Sequence, residues 1–165
     1  MKSVNKKIVL LGNEGVGKTS LVKQYVNSIF SDEYLTTIGI KISKKTIQIG
    51  EVAVNLMLWD IAGNMMNKTL YNNYLQGAHG ILLVADAMRY ETYESILLEK
   101  ENHLSNDFKN AVTCVIINKS DLIPEADADY LKAFKYDYLT SAKNGDHVEL
   151  AFQSMAEQIL ETSRT

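Results

Sequence analysis

Gly12-Asn13-Glu14-Gly15-Val16-Gly17-Lys18-Thr19 has the pattern G-x-x-x-x-G-K-[ST]. Glycines at this spacing let backbone N–H groups curl around phosphate oxygens, and a helix that follows adds its positive end. Lys18 supplies a point charge for terminal phosphates, and the Thr19 hydroxyl suits a hard, oxygen-preferring ion such as Mg2+. The bland alternative is a glycine-rich turn that only joins a strand to a helix. Further along, Asp60-Ile61-Ala62-Gly63 ends an apolar run and has the look of a second loop for metal and phosphate. Asn64, Met65 and Met66 follow, so an amide and two thioethers stand where such a loop would do its chemistry.

Asn118-Lys119-Ser120-Asp121 offers a different chemistry. The Asp121 carboxylate can accept two N–H bonds, one from a ring nitrogen and one from an exocyclic amine. Guanine presents that pair on one edge and adenine does not, and leaving buried polar groups unpaired is costly. Asn118 can bond another edge of the base or brace the phosphate loop. The Lys119 stem can cover a ring face while its head stays in water. A backbone N–H in Thr140-Ser141-Ala142-Lys143 could meet a guanine oxygen. Alone, the first of these segments could be a strand end with an Asp cap; its place between the phosphate loop and the Ser-Ala-Lys segment gives it weight.

Strands and helices must alternate to position these loops. "KKIVLLG" (6–12), "GILLVAD" (80–86) and "AVTCVIINK" (111–119) are apolar runs that read as buried strands. "IGIKISKKTIQIG" and "VAVNLMLWD" flank Gly50-Glu51 and read as an antiparallel hairpin. Helical spacing follows in "KTSLVKQYVNS", through "YESILLEKENHLSN", and in "HVELAFQSMAEQILETS", which places Val148, Leu150, Ala151, Met155 and Ile159 on roughly one face. Such alternation predicts an α/β layer with a mostly parallel sheet, whose ligands sit at the carboxyl ends of the strands. Each motif above falls just after a predicted strand.

The 165 residues favour one domain with a sizeable core, and 46% hydrophobic with 22% charged residues is a globular balance. A formal charge of -3 argues against a broad nucleic-acid surface. The single cysteine, Cys114, lies in an apolar run and reads as a buried, inert thiol. No apolar run approaches membrane-spanning length, and neither a myristoylation glycine nor a prenylation cysteine is in place, so no direct membrane anchor is expected.

With these motifs in this order the chain resembles the Ras-like small GTPases, and the Rab branch most closely, over nearly its whole length. The Rab features are "TIGIKI" (37–42), "LWDIAG" (58–63) and "YLQGAHGILLVAD" (74–86). The resemblance implies the P-loop small GTPase fold: an α/β arrangement with a mostly parallel six-stranded sheet, one antiparallel strand, and helices on both faces. Residues 1–165 would be one such domain without a lipidated hypervariable tail. Glu14, Gly15, Val16, Gly17, Lys18, Thr19 and Ser20 would wrap the phosphates of GTP or GDP. Phe30 would pack edge-on against guanine and Tyr34 would cover the phosphates. Thr19 and Thr37 would ligate Mg2+, Thr37 only with the γ-phosphate present, and Asp60 would hold the ion through water. Asn118, Lys119, Asp121, Ser141, Ala142 and Lys143 would read guanine, and catalysis would rest on Lys18, Thr37, Gly63 and Asn64. An exchange factor, a GTPase-activating protein and effectors are expected at Thr37, Ile42, Trp59, Met65, Met66 and Tyr74. The implied protein is a cytoplasmic monomer, recruited to membranes through partners. Bland readings stand beside these: Phe30 as a staple, Tyr34 as a surface residue, Thr36 or Thr37 as a strand opener, and Ile42, Trp59 and Tyr74 as core.

The departures from that family are informative. The usual glutamine that orients the attacking water is Asn64 here, one methylene shorter, roughly 1.5 Å by a single C–C bond. Phosphoryl transfer depends on positioning, so a displaced amide can cost on the order of a hundredfold. Glu14 occupies a usually small position, where it could obstruct an incoming arginine, repel the γ-phosphate, or point outward. Met65-Met66 replaces two charges and either binds an unusual partner or tucks against the neighbouring helix. The stretch from Leu122 to Leu139 leaves room for only a brief helix. The expectation is a guanine-nucleotide switch with slow hydrolysis. The alternative is a non-catalytic GTP-bound module or a decoy for Rab partners. An ATPase or nucleotide kinase would need Asp121 to tolerate adenine.

Overall fold

Six strands form one sheet in the order β2-β3-β1-β4-β5-β6 in the computed structural model, which describes residues 2–33, 36–65, 71–124, 127 and 129–163. β1 (Lys2–Leu11) and β4 (Gly80–Asp86) are central. Ile8 and Leu10 enter one core cluster while Val9 and Leu11 enter the other. A strand buried on both faces needs an unbroken apolar run, which these two sequences supply. β5 (Val112–Asn118) pairs parallel to β4, and the short β6 (Tyr138–Leu139) parallel to β5. β3 (Val52–Ile61) runs parallel to β1, and β2 (Ile40–Ile49) runs antiparallel to β3 through a turn at Gly50. The mostly parallel six-stranded sheet with one antiparallel strand is thus as expected.

β1 starts at Lys2, earlier than the apolar run from Lys6 suggests, because Lys2–Asn5 pair with Val52–Asn55. A polar row holds that end: Asn55 Nδ2 donates to Ser3 Oγ at 3.1 Å and Asn5 Oδ1 at 3.0 Å, and Thr46 Oγ1 donates to Asn55 Oδ1 at 2.7 Å. Cross-strand hydrogen bonds here do what apolar pairs do elsewhere in a sheet.

α1 (Lys18–Asn27) and α5 (Val148–Thr162) cover one face of the sheet, where the Tyr25 and Phe152 rings stack 4.2 Å apart. α2 (Tyr71–Leu75) and α3 (Tyr90–Glu99) cover the other. In α5 the buried stripe is Val148, Ala151, Phe152, Met155, Ala156 and Ile159, whereas Leu150, expected on that face, is 51% exposed. Leu150 lies two positions from Val148, about 200° around a helix of ~100° per residue, so it points away. α3 widens into a π-helical turn (Lys100–Leu104) and then α4 (Ser105–Asp107), where the sequence pattern suggested one continuous α-helix. The wider turn rotates Leu104 back onto the core face, where it is 2% exposed.

Between Pro124 and β6 the described residues form one 3₁₀ turn (Tyr130–Ala133), in keeping with the expected brief helix. Tyr90, Tyr93, Tyr130 and Phe134 fill the space with ring centroids 5.0 to 5.6 Å apart. Cys114 is buried, and burial pushes its thiol up to about 12. Among the described residues no helix is long and apolar enough to cross a membrane.

Candidate nucleotide-binding site

The carboxyl ends of β1, β3 and β5 and the start of α1 surround one cleft of about 330 Å³. Glu14, Gly15, Gly17, Lys18, Thr19 and Ser20 line one end of it, with Thr37, Gly63 and Asn64, and Phe30 lines it as well. Asn118, Lys119, Asp121, Ala142 and Lys143 line the other end. Val16 and Ser141, expected in the same set, are buried behind the cleft: the Val16 side chain belongs to the core and Ser141 supports a neighbour. Tyr34 and Met66 lie outside the described residues.

The phosphate loop is held from behind. Gly17 has φ +102°, and a Cβ there would fall 2.3 Å from Asn118 Nδ2, so conformation and space both require glycine. Lys18 Nζ donates to the carbonyls of Gly12 at 2.8 Å and Asn13 at 3.2 Å. Burial lowers its pKa to about 8, against the pull of Asp60 and Glu14. Gly63 presses on the same loop: a Cβ added there would lie 2.2 Å from the Glu14 nitrogen. Asn64 follows, exposed, on a 3₁₀ turn (Gly63–Met65) at the rim of the cleft.

Side-chain oxygen atoms converge beside Lys18. Asp60, at the end of β3, is 1% exposed. Its Oδ2 accepts from the Thr19 hydroxyl and, at 3.5 Å, from Thr37, and the two hydroxyl oxygens are 2.6 Å apart. Asp60 Oδ1 is buried without a hydrogen-bond partner. Burial raises the Asp60 pKa, opposed by the hydrogen bonds of Thr19 and Thr37 and by Lys18. An orphaned buried carboxylate oxygen next to hard hydroxyl oxygens is a donor set that Mg2+ satisfies, so the residues present fit such an ion.

At the base end, the open choice for Asn118 resolves as a brace. Its Nδ2 donates to the Val16 carbonyl at 3.0 Å, and its Oδ1 accepts from Thr140 Oγ1 at 3.0 Å and from the Ala142 N–H at 3.2 Å. The Ala142 N–H, a candidate for a guanine oxygen, is therefore engaged by Asn118. The exposed Asp121 carboxylate is oriented by Ser141, whose Oγ donates to Oδ1 at 2.7 Å. Lys119 is in the left-handed region at φ +68°, and its Nζ, on a side chain about a third exposed, pairs with Asp86 Oδ2 at 2.8 Å. Burial pushes the Asp86 carboxyl up, but hydrogen bonds from Lys119, the Met88 N–H and Arg89 outweigh it and leave the pKa lowered.

A place at the site for Asp86 and Arg89, and for Thr36 as more than a strand opener, escaped the sequence reading. Arg89 Nε donates to Asp86 Oδ2 at 3.1 Å and Nη2 to the Glu14 carbonyl at 2.9 Å. The Glu14 carboxylate, whose direction the sequence left open, accepts from the Thr36 hydroxyl at 3.0 Å. The one available signal was Asp86, a charge that closes an apolar strand. On the outer surface Ile42, 48% exposed, is the cross-strand partner of Trp59, which is half-buried with Lys7 Nζ 3.8 Å over its ring. Tyr74 and Met65 are half-buried against the second core cluster.

A model of the Ras family matches residues 7–161, which takes in the phosphate loop, the Asp60–Gly63 loop and both base-end segments. Sheet order, cleft and sequence match agree, and the chain belongs to the Ras family of GTP-binding small GTPases.

Proposed function

We propose that the chain is a Rab-like guanine-nucleotide switch that binds GTP and GDP with Mg2+ and hydrolyses GTP slowly. The observation that carries this reading is the convergence of Lys18, Thr19, Thr37 and Asp60 at one end of the cleft that Asp121 and Asn118 close at the other. Thr19, Thr37 and Asp60 would hold the ion with their oxygen atoms. Such an ion would supply charge neutralisation for the phosphates. Lys18 adds its charge on the phosphate oxygens, and the backbone N–H groups of Glu14 to Ser20 wrap the phosphates. Asp121 takes the paired N–H groups of guanine, with Ser141 fixing its rotamer. Ala142 and Lys143 close over the base, and Phe30 and Lys119 flank it. Gly63 contacts the γ-phosphate through its N–H, so the segments around Thr37 and Gly63 order with GTP and relax with GDP.

Slow turnover follows from Asn64. It lines the cleft, but its amide is one methylene short of the glutamine that would align water. Regulators and effectors meet the surface around Thr37, Ile42, Trp59, Met65, Met66 and Tyr74, and the protein works as a monomer brought to membranes by such partners. Glu14 at the cleft rim favours a second reading, a module that keeps GTP without useful turnover. Single-turnover GTP hydrolysis separates the two. The switch reading expects slow but measurable turnover, raised about ten- to a hundredfold in Asn64→Gln by restored positioning. No turnover in either protein supports the module, and a fast wild-type rate unchanged in the variant defeats the role of Asn64.

A further inference from the structure

Glu14 carries a contact that nucleotide binding alone does not require. Its carboxylate accepts a hydrogen bond from Thr36, the residue before Thr37, at 3.0 Å. Arg89 fastens the Glu14 carbonyl from the other side at 2.9 Å, and Arg89 is itself held by the buried Asp86 at the end of β4. The acceptor is therefore anchored to the centre of the sheet and not to a free loop. Three points then fix the Thr36 segment: Thr36 on Glu14, Thr37 beside Thr19, and the Gly39 carbonyl, which accepts from the Ala62 N–H at 2.9 Å.

We propose that Glu14 is a positioning residue: its carboxylate latches the Thr36 segment to the phosphate loop and so keeps the Thr37 hydroxyl beside Thr19 and Asp60 before a terminal phosphate is bound. The proposal rests on the reading of Thr37 given above. A hydrogen bond to a charged acceptor is stronger than a neutral one, and ordering Thr36 also removes freedom from its neighbour. The consequence is a GDP form that retains part of the surface of the GTP form. A partner reading Thr37 to Ile42 discriminates between the two forms less than it would without the latch.

Amide hydrogen exchange across residues 36–40 tests this on the full chain, both nucleotide-free and loaded with GDP and Mg2+. Glu14→Ala and Thr36→Val should each speed exchange about five- to tenfold, the worth of one ordinary hydrogen bond, since solvent at this exposed contact screens the extra strength of the charge. The double variant should be no faster than either single, and Glu14→Gln, which keeps the acceptor oxygen, should fall between wild type and Glu14→Ala. Release of a fluorescent, non-hydrolysable GTP analogue, followed against Mg2+ concentration, gives a second readout. Glu14→Ala should need about threefold more Mg2+ to slow release if Thr37 is less well placed. Unchanged exchange in the single variants, multiplying effects in the double variant, or Glu14→Gln as fast as Glu14→Ala would overturn the latch. A wild-type chain that binds no guanine nucleotide defeats the reading of the site, while exchange on the nucleotide-free chain still decides the latch.

Discussion

The side-chain amide of Asn118 donates to the Val16 carbonyl at 3.0 Å, so the loop that follows β5 is fastened directly to the phosphate loop. The same residue accepts from Thr140 and Ala142, all within buried surroundings. Asn118→Ala leaves those groups without partners and should destabilise the nucleotide-free chain by about 3 kcal/mol. For a domain of this size that lowers the melting temperature by roughly 6–12 °C. Differential scanning calorimetry without nucleotide checks it; a variant that melts with wild type while losing GDP would show Asn118 to be a base contact only.

Asp86 predicts an acid-dependent contribution. Its pKa is lowered in the fold, so the stability it contributes is present above the ordinary carboxylate pKa and is lost as pH falls through the folded value. Lys119 and Arg89 are about a third exposed, which weakens their pull through solvent screening. Asp86→Ala should cost about 2 kcal/mol at pH 7, and the difference should shrink as both proteins are taken below the unfolded carboxylate pKa. Urea melts across that pH range measure it. A difference that stays constant with pH would assign the loss to packing.

Gly63→Ala puts a methyl group 2.2 Å from the Glu14 nitrogen and 2.5 Å from the Asn13 carbonyl carbon, both backbone atoms that cannot swing aside. The turn should lift away from the phosphate loop with little cost to the fold. Affinity for a non-hydrolysable GTP analogue should fall at least tenfold, the worth of one hydrogen bond to a charged phosphate, while GDP affinity changes less than about threefold. Equal losses for both nucleotides in a titration would contradict a role for Gly63 at the terminal phosphate.

Asp60 should show effects of opposite sign with and without ligand. Its buried carboxylate has one unpartnered oxygen and a pKa raised by burial, so it weakens the ligand-free fold. Asp60→Asn should raise the ligand-free melting temperature by about 2–4 °C, the equivalent of ~1 kcal/mol. The gain in melting temperature from GDP with Mg2+ should fall by at least half, because ligand stabilisation scales with affinity. If the variant gains as much from Mg2+ as wild type does, Asp60 does not hold the ion.

What the sequence revealed and what it hid divide along a physical line. Central strands announce themselves because burial on both faces demands unbroken apolar runs, as in residues 80–86. The phosphate loop is legible because glycine is needed where backbone passes close to other atoms, as at Gly17. Contacts between polar side chains leave no such trace. Nothing in the spacing of Asp86, Arg89, Glu14 and Thr36 shows that they join, since the sheet brings them together from three separate stretches. Leu150 misled because one apolar residue off the stripe looks like one on it until neighbours such as Phe152 fix the phase. The first residues of β1 were hidden for the opposite reason, their pairing resting on serine and asparagines.

The hairpin of β2 and β3 also has a mechanical meaning. Ile40 faces Ile61 at its open end, and the Ala62–Gly39 hydrogen bond continues the ladder one step further. Thr37 and Gly63 therefore leave the same end of a single stiff, ten-pair ladder, like the two jaws of one clip. On the proposed reading of Thr37 and Gly63, a partner that pulled one jaw open would load the other through the shared ladder.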